Sequence, residues 1–537
     1  MSTPPPSHGP GIDKENLVAY VEDPHRRYLF HNGESFRYET LPLGTRIVYP
    51  PPPLPPVRDV DGAIEQALEH PIGSDPLPAH LRPGMKVTIA FDDLSLPLPP
   101  MRRPDIRGRI IEKVLEKLAA SGVDDIHLIA ALGVHRHMTP SEIRHVVGPR
   151  VFKAFHPQRL YNHDAEDHEN LVVLGSTRHS EEVEVSRRVA ESDLLIYVNI
   201  NLVSMDGGHK SITTGLTSYR SLRHHHNAHT LLHSRSYMDP PNSALHQSCE
   251  RMGKLAEEHL KVFKIETTLN THVFPGLLRH LQVSEFDWHP WDHAIFAANR
   301  GLMATLPFSA RRTIFHSLRA EYGMTGIAAG ETEAVHQHTL ANVANQQAVP
   351  VSGQADVLVA GLPYLGPYNV NSVLNPVLVH CQSLGYLFNL HRGKPLVREG
   401  GVIIFLHPME NRFNMQHHPS YYDFYHQVLT ETRDSTEMGH KYEERFATDP
   451  RYIDLFRNHH AYHGVHPFYA WYWGWYGQSY VGRVIAAGAR DPEVASVLGY
   501  DTAPNLRQAL EMAKDTVGPN PQVTVFHWPP IFMADVT

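Results

Sequence analysis

The stretch MDGGHKSITTG, residues 205–215, sets two glycines and a lysine ahead of small hydroxylated residues around Ile212. Glycine lets backbone come close to a ligand, and Lys210 can either pair with an anion or react as an amine. The glycine spacing is not that of GxxxxGK[ST], so alone it fits equally a tight turn with a solvated lysine. Three more groups could do chemistry. Asp92 and Asp93 end MKVTIAFDD, where acids hold a ribose, a metal or a substrate hydroxyl, or simply bond neighbouring backbone. His135 in GVHRHMT stands in a strand-to-helix loop, as a base or as a cap. His224, His225 and His226 could ligate a metal, but neighbours on a helix diverge by about 100°, so at most two face one ion. His163, Asp164 and Asp167 in NHDAED fit a ligand set or a polar surface loop.

The elements that must position these residues are legible. MKVTIAFDD reads as a buried strand, and IRGRIIEKVLEKLAASG as a helix with Ile110, Ile111, Val114, Leu115 and Leu118 on one face, closed by Gly122. IHLIAAL is a second buried strand. TPSEIRHVVG opens a helix, with Thr139 and Glu142 as a capping box and Pro140 in the first turn. LLIYVNI, residues 194–200, runs as a strand into the Lys210 stretch. Strand alternating with helix implies a parallel sheet with its ligand at the strand C-termini. VLVAGLPY, GGVIIFLHP and SVLGYDTAPNLRQALEMAKDTVG predict a second α/β region, and HPFYAWYWGWYG reads as core or interface packing. The expected fold class is α/β, two domains with mainly parallel sheets and a cofactor cleft between them. Residues 1–58 read as a disordered, Pro-rich extension and lead-in, 59–275 as the cofactor-binding domain, and 295–530 as the second α/β domain, with the connection at about 270–295.

Composition sets limits. The chain has 537 residues, 42% hydrophobic and 20% charged, which suits a soluble globular protein. Net charge is −9 with no long basic run, against nucleic-acid binding. Two cysteines exclude a disulfide framework, and no apolar stretch is long enough to span a membrane. With no leader-like start, the expectation is a cytoplasmic protein. Forty histidines make any single one a poor clue, and most are expected on the surface or in satisfied hydrogen bonds. No HExxH spacing supports a metal-dependent hydrolase.

Taken in order, ALEHPIGSDPL, FDDLSLPLP, ALGVHRHMTPSEI, YNHDAEDHENLVVLG, GGHKSITTG and a histidine sixteen residues past the lysine resemble the lactate racemase family. The resemblance runs from about residue 60 to 525 and includes GQSYVGRVIAAGARDPEVASVLGYDTAPNLRQALEMA. It implies a nickel-pincer nucleotide cofactor, Ni(II) bound to a pyridinium-3,5-bisthiocarboxylic acid mononucleotide. Lys210 is then the covalent tether, His226 the nickel ligand and His135 the catalytic base, with Lys210 counted in the catalytic set. Asp93, Leu94, Ser95, Leu96 and Ile212 complete the implied cofactor contacts. One imidazole completing a square-planar pincer suits Ni(II). The implied reaction moves a hydride between a hydroxy acid and the cofactor while a base takes the hydroxyl proton, which avoids a poorly stabilised carbanion.

The sequence departs from the family pattern where substrate binds. The family's D-x-T-R-P loop reads DLSLP, with Leu96 in place of the arginine that pairs with the substrate carboxylate. The second catalytic histidine, ten residues before the lysine, is replaced by Ile200 between Asn199 and Asn201. A Gln-x-x-Lys pair is missing around NVNSVLNPVLVH. The expectation is therefore a racemase or epimerase of a hydroxy acid other than lactate, a larger or less acidic one. Arg136 could supply the lost charge, and His209 or His137 the lost base. The alternative is a non-catalytic descendant that binds a nucleotide or metabolite. Sequence says nothing of the oligomeric state.

Overall fold

The computed structural model describes residues 17–96 and 98–537. Its first sheet has six strands in the order Met324–Gly330, Val262–Leu269, Leu194–Asn201, Lys86–Asp92, Asp125–Ala131, Leu160–Asn162. All neighbours are parallel except the first pair, which is antiparallel. The central strands are apolar on both faces, as burial beneath helices on either side requires; Val87, Ile89 and Phe91 are fully buried. The predicted helix forms over Ile106–Ala120 and buries Ile110, Ile111, Val114 and Leu118. The capping box forms as read: Thr139 accepts from the Glu142 N–H, and the Glu142 carboxylate from the Thr139 N–H.

The second sheet has seven strands in the order Val18–Tyr20, Arg46–Val48, Val523–Phe526, Ala355–Gly361, Val397–Leu406, Arg483–Ala487, Asp501–Ala503. Only its first pair is antiparallel. The mixed α/β class with mainly parallel sheets is therefore as expected from sequence.

The boundaries are corrected. Residues 1–16 lie outside the described residues, but the rest of the stretch read as a Pro-rich lead-in, up to residue 58, holds four strands. Val18–Tyr20 and Arg46–Val48 join the second sheet, and Arg27–Asn32 pairs with Ser35–Thr40 in a hairpin. The hairpin is fixed by Glu285, whose carboxylate accepts from the Leu29 N–H at 2.6 Å, and Tyr49 donates to the same group at 2.7 Å. The second region also does not start near 295. Met324–Gly330 is an edge strand of the first sheet, and helix Thr332–Gln347 packs against that sheet. The first sheet is thus built from one stretch of chain, Lys86 to Gly330, and the second from the stretches on either side of it.

Histidine burial is unexpected in its extent. At least fourteen of the forty are buried, among them His31, His380, His407 and His418. The aromatic run is core, as read: Trp471 and Tyr472 are fully buried in the helix His466–Tyr472.

Candidate functional site

Three adjacent strands of the first sheet end at one cavity of about 930 Å³, mouth included. Lys86–Asp92 delivers Asp93, Ser95 and Leu96; Asp125–Ala131 leads to His135; Leu194–Asn201 leads to Asp206, Lys210 and Ser211. Tyr368, Tyr386 and Trp528, from the half built on the second sheet, complete the wall. This is where open parallel sheets place ligands, because strand ends stop together while the following loops diverge.

His135 and Asp93 form a dyad, with Nδ1 to Oδ2 at 2.9 Å. An ionised carboxylate only accepts, so Nδ1 carries the proton and Nε2 keeps its lone pair. Asp93 also accepts from the Ser95 N–H at 2.9 Å and the Ser95 hydroxyl at 2.5 Å. Burial pushes its carboxyl up, but His135 and the Ser95 bonds outweigh this, and the net shift is downward. Beneath the turn, the Arg107 guanidinium donates to the carbonyls of Asp92 and Asp93 and pairs with Asp105 at 2.7 Å. The Asp92 carboxylate turns away from Asp93 and accepts from the Ile200 N–H and the Asn199 amide.

The glycine turn is held from below. Gly207 and Gly208 have φ of 89° and 57°, in the left-handed region that a side chain disfavours. Glu266 accepts the Gly208 N–H at 2.6 Å, and Lys264 donates to the Gly208 carbonyl at 3.1 Å, both groups fully buried. Among the described residues, the Lys210 amine has neither a hydrogen-bond nor an ion-pair partner, and it is the only Lys or Arg lining the cavity. Asp206, four residues earlier, is buried in the same wall; burial pushes its carboxyl up to about 7, although Lys210 pulls the other way.

His224, His225 and His226 lie beyond the short helix Tyr219–Leu222, so helical divergence does not apply to them. The His225 and His226 Nδ1 atoms meet at 2.6 Å, and His225 Nε2 is 3.1 Å from the Thr213 carbonyl. A carbonyl cannot donate, so His225 carries its proton on Nε2 and accepts at Nδ1. His226 must then donate from Nδ1, leaving its Nε2 with a free lone pair. Burial, then His225 and Lys210, hold His226 well below the usual histidine range, so the ring is neutral. Tyr469 and Trp473 of the aromatic run pack on it, and His466 packs on His135.

Of the residues singled out from sequence, Asp92, Asp93, Ser95, Leu96, His135 and Lys210 line this cavity. His226 lies behind it, near enough for its charge state to respond to Lys210 and His135. Leu94 lines a different cleft, beside Arg107 and Glu142, because successive residues of the turn face opposite ways. Ile212 is buried in the core under the short helix Lys210–Gly215. Ile200 faces the core too, so its replacement of histidine removes no group from the cavity wall; Asn199 is the neighbour that reaches it. Arg136 cannot supply a charge, being paired with Glu142 at 2.7 Å and bonded to the Val370 carbonyl. His137 packs on Phe456 and His209 pairs with Glu257, so neither turns in. His163 donates to the Thr217 carbonyl, and Asp164 and Asp167 pair with Arg457, a structural set. Asp206 and Trp528 were missed. Only Asp206, beside the glycine pair, had a signal in sequence.

Residues 37–239 match the lactate racemase N-terminal domain. Over that span the chain resembles lactate racemases. It is 26% identical over 169 residues to a lactate racemase of Lactiplantibacillus plantarum, covering 30% of this chain and 37% of that protein. It is 23% identical over 167 residues to a lactate racemase of Thermoanaerobacterium thermosaccharolyticum, again 30% of this chain and 37% of that one. The matched segment thus spans little more than a third of these relatives. The fold likeness reaches further. The lactate racemase apoprotein from Thermoanaerobacterium thermosaccharolyticum aligns with a TM-score of 0.59 at 15% identity, over 95% of this chain and 99% of that one. The lactate racemase domain match begins at residue 37, inside the N-terminal hairpin. No helix among the described residues is long and apolar enough to cross a membrane.

Proposed function

We propose that this chain is an isomerase, a racemase or epimerase of a hydroxy acid other than lactate, working with a nickel-pincer nucleotide. One arrangement carries this reading: an unpaired lysine amine and a carboxylate-oriented imidazole line one strand-end cavity, and a neutral histidine with a bare Nε2 lies just behind its wall. The residues fit the cofactor. Lys210 is free to be the tether, and His226 Nε2 is free to ligate. No group of three or more metal-ligating side chains occurs among the described residues, and a cofactor that brings its own donors needs only one. When bound, the group supplies a carrier for the hydrogen on the substrate's hydroxyl-bearing carbon.

The chain's own residues do the rest. Asp93 fixes the His135 tautomer, so that Nε2 takes the hydroxyl proton and later returns it. The imidazolium formed there is stabilised by the same carboxylate. Leu96, Leu132 and Met205 keep the wall beside the reacting carbon apolar and exclude water. Asp206, protonated below about 7, is a second proton-bearing group on the wall. With Lys210 committed to the cofactor and Leu96 in place of arginine, the wall offers no cation for a small, fully desolvated carboxylate, which argues against lactate.

Intact-protein mass spectrometry and metal analysis test the reading on chain produced in a host that makes the cofactor. The expected result is a nucleotide-sized mass increment, absent in Lys210→Ala, and nickel that is lost in His226→Ala while the increment stays. An unmodified parent chain from that host would instead point to a non-catalytic binding module.

A further inference from the structure

A second cavity of about 700 Å³, mouth included, lies against the first and shares Leu98, Pro367, Tyr386, Trp528 and Ile531 with it. Its remaining wall is apolar, chiefly Val273, Phe274, Phe315, Leu318 and Tyr364, and none of its lining residues is Asp, Glu, Lys or Arg. His31 is also in the wall; burial holds it down at about 3, so it is neutral at physiological pH. Nothing in the proton chemistry uses this space.

Three buried polar atoms in that wall have no hydrogen-bond partner among the described residues: His31 Nδ1, Gln382 Oε1 and Trp528 Nε1. The Gln382 amide nitrogen is already spent on the carbonyls of Pro363 and Leu365, which fixes its oxygen as an open acceptor. Trp528 offers a donor. Buried polar atoms left unpaired are costly, and an apolar chamber with a few open donors and acceptors is the usual form of a ligand pocket. A ring fills such walls, and a single hydroxyl both gives and takes hydrogen bonds.

We infer that the second cavity receives a ring-sized, hydroxyl-bearing substituent of the substrate, whose hydroxy-acid end reacts at His135. The inference rests on the hydroxy-acid reading above and deepens it: the substrate class is an aryl-substituted 2-hydroxy acid. It also explains how a substrate is held without the arginine lost at Leu96. Apolar burial of the ring replaces part of the ion pair as the source of affinity.

Calorimetric titration of the full chain with lactate and with its hydroxyphenyl analogue reads this without turnover. The analogue is expected to bind at least about tenfold more tightly, as one ring's burial allows. Leu318→Trp, at the partly buried edge, and Val273→Phe, inside, should each cut that preference by about tenfold or more. Two substitutions on different segments guard against one failing to fold. Equal affinity for both acids, or a preference unmoved in both folded variants, overturns the assignment. Because binding is read directly, an analogue that binds by the second cavity but is never racemised counts against the racemase reading and for this one.

Discussion

Asp206 carries an electrostatic strain that a single substitution relieves. Burial raises its carboxyl from 3.8 to about 7. Between those values the folded chain keeps a proton that the unfolded chain has lost. The stability this contributes is fully present below 3.8 and is lost as pH rises through 7. At pH 8 the charged, buried carboxylate therefore costs stability. Asp206→Asn should be more stable than the parent at pH 8, and its advantage should widen by about 1 kcal/mol from pH 6 to pH 8. Urea unfolding at both pH values checks this. An advantage that does not change with pH would mean that Asp206 is already paired or solvated. Asp92 is also raised by burial, to about 6, but three polar neighbours hold it, so Asp92→Asn should destabilise instead.

The elements around the site were legible where their information is local. Lys86–Asp92, Asp125–Ala131 and Leu194–Asn201 are short apolar runs ended by turn chemistry, and Thr139 with Glu142 is a self-contained cap. Asp93, His135 and Lys210 could be found because each lies in the loop or turn that such a strand runs into. The N-terminal strands could not. Val18–Tyr20 and Arg46–Val48 have three residues each, and the partner of the latter, Val523–Phe526, is far away in sequence. The His225–His226 contact was hidden for a similar reason, since it depends on a turn rather than on helical spacing. The edge strand Met324–Gly330 gives a test at this scale. A fragment of residues 59–275 lacks Met324–Gly330 and so leaves the eight-residue strand Val262–Leu269 with an open, buried edge. It should aggregate, whereas residues 57–352 should give a soluble protein with a cooperative urea transition. Cooperative unfolding of the shorter fragment would show that the edge strand is dispensable.

Across the whole molecule, buried imidazoles govern the response to acid. Burial holds His31, His246, His380, His407 and His418 down at about 3, and His137, His225, His391 and His417 at about 4. Each stays neutral when folded and takes a proton from about 6.5 downward when unfolded. Stability is therefore lost as pH falls below 6.5. At about 1–2 kcal/mol each by pH 5, nine such groups outweigh a typical total stability of about 5–15 kcal/mol, even with the opposing gain from Asp92 and Asp206. Circular dichroism should show cooperative acid unfolding with a midpoint above about pH 4.5; native ellipticity retained at pH 4 would sink this. The nested sheets also impose a schedule on synthesis. The first sheet has all six strands once Met324–Gly330 has left the ribosome. The second must wait for Val523–Phe526, which slots between Arg46–Val48 and Ala355–Gly361. Until that segment emerges, Arg46–Val48 and Ala355–Gly361 each stay unpaired on one side, so this half closes long after the other.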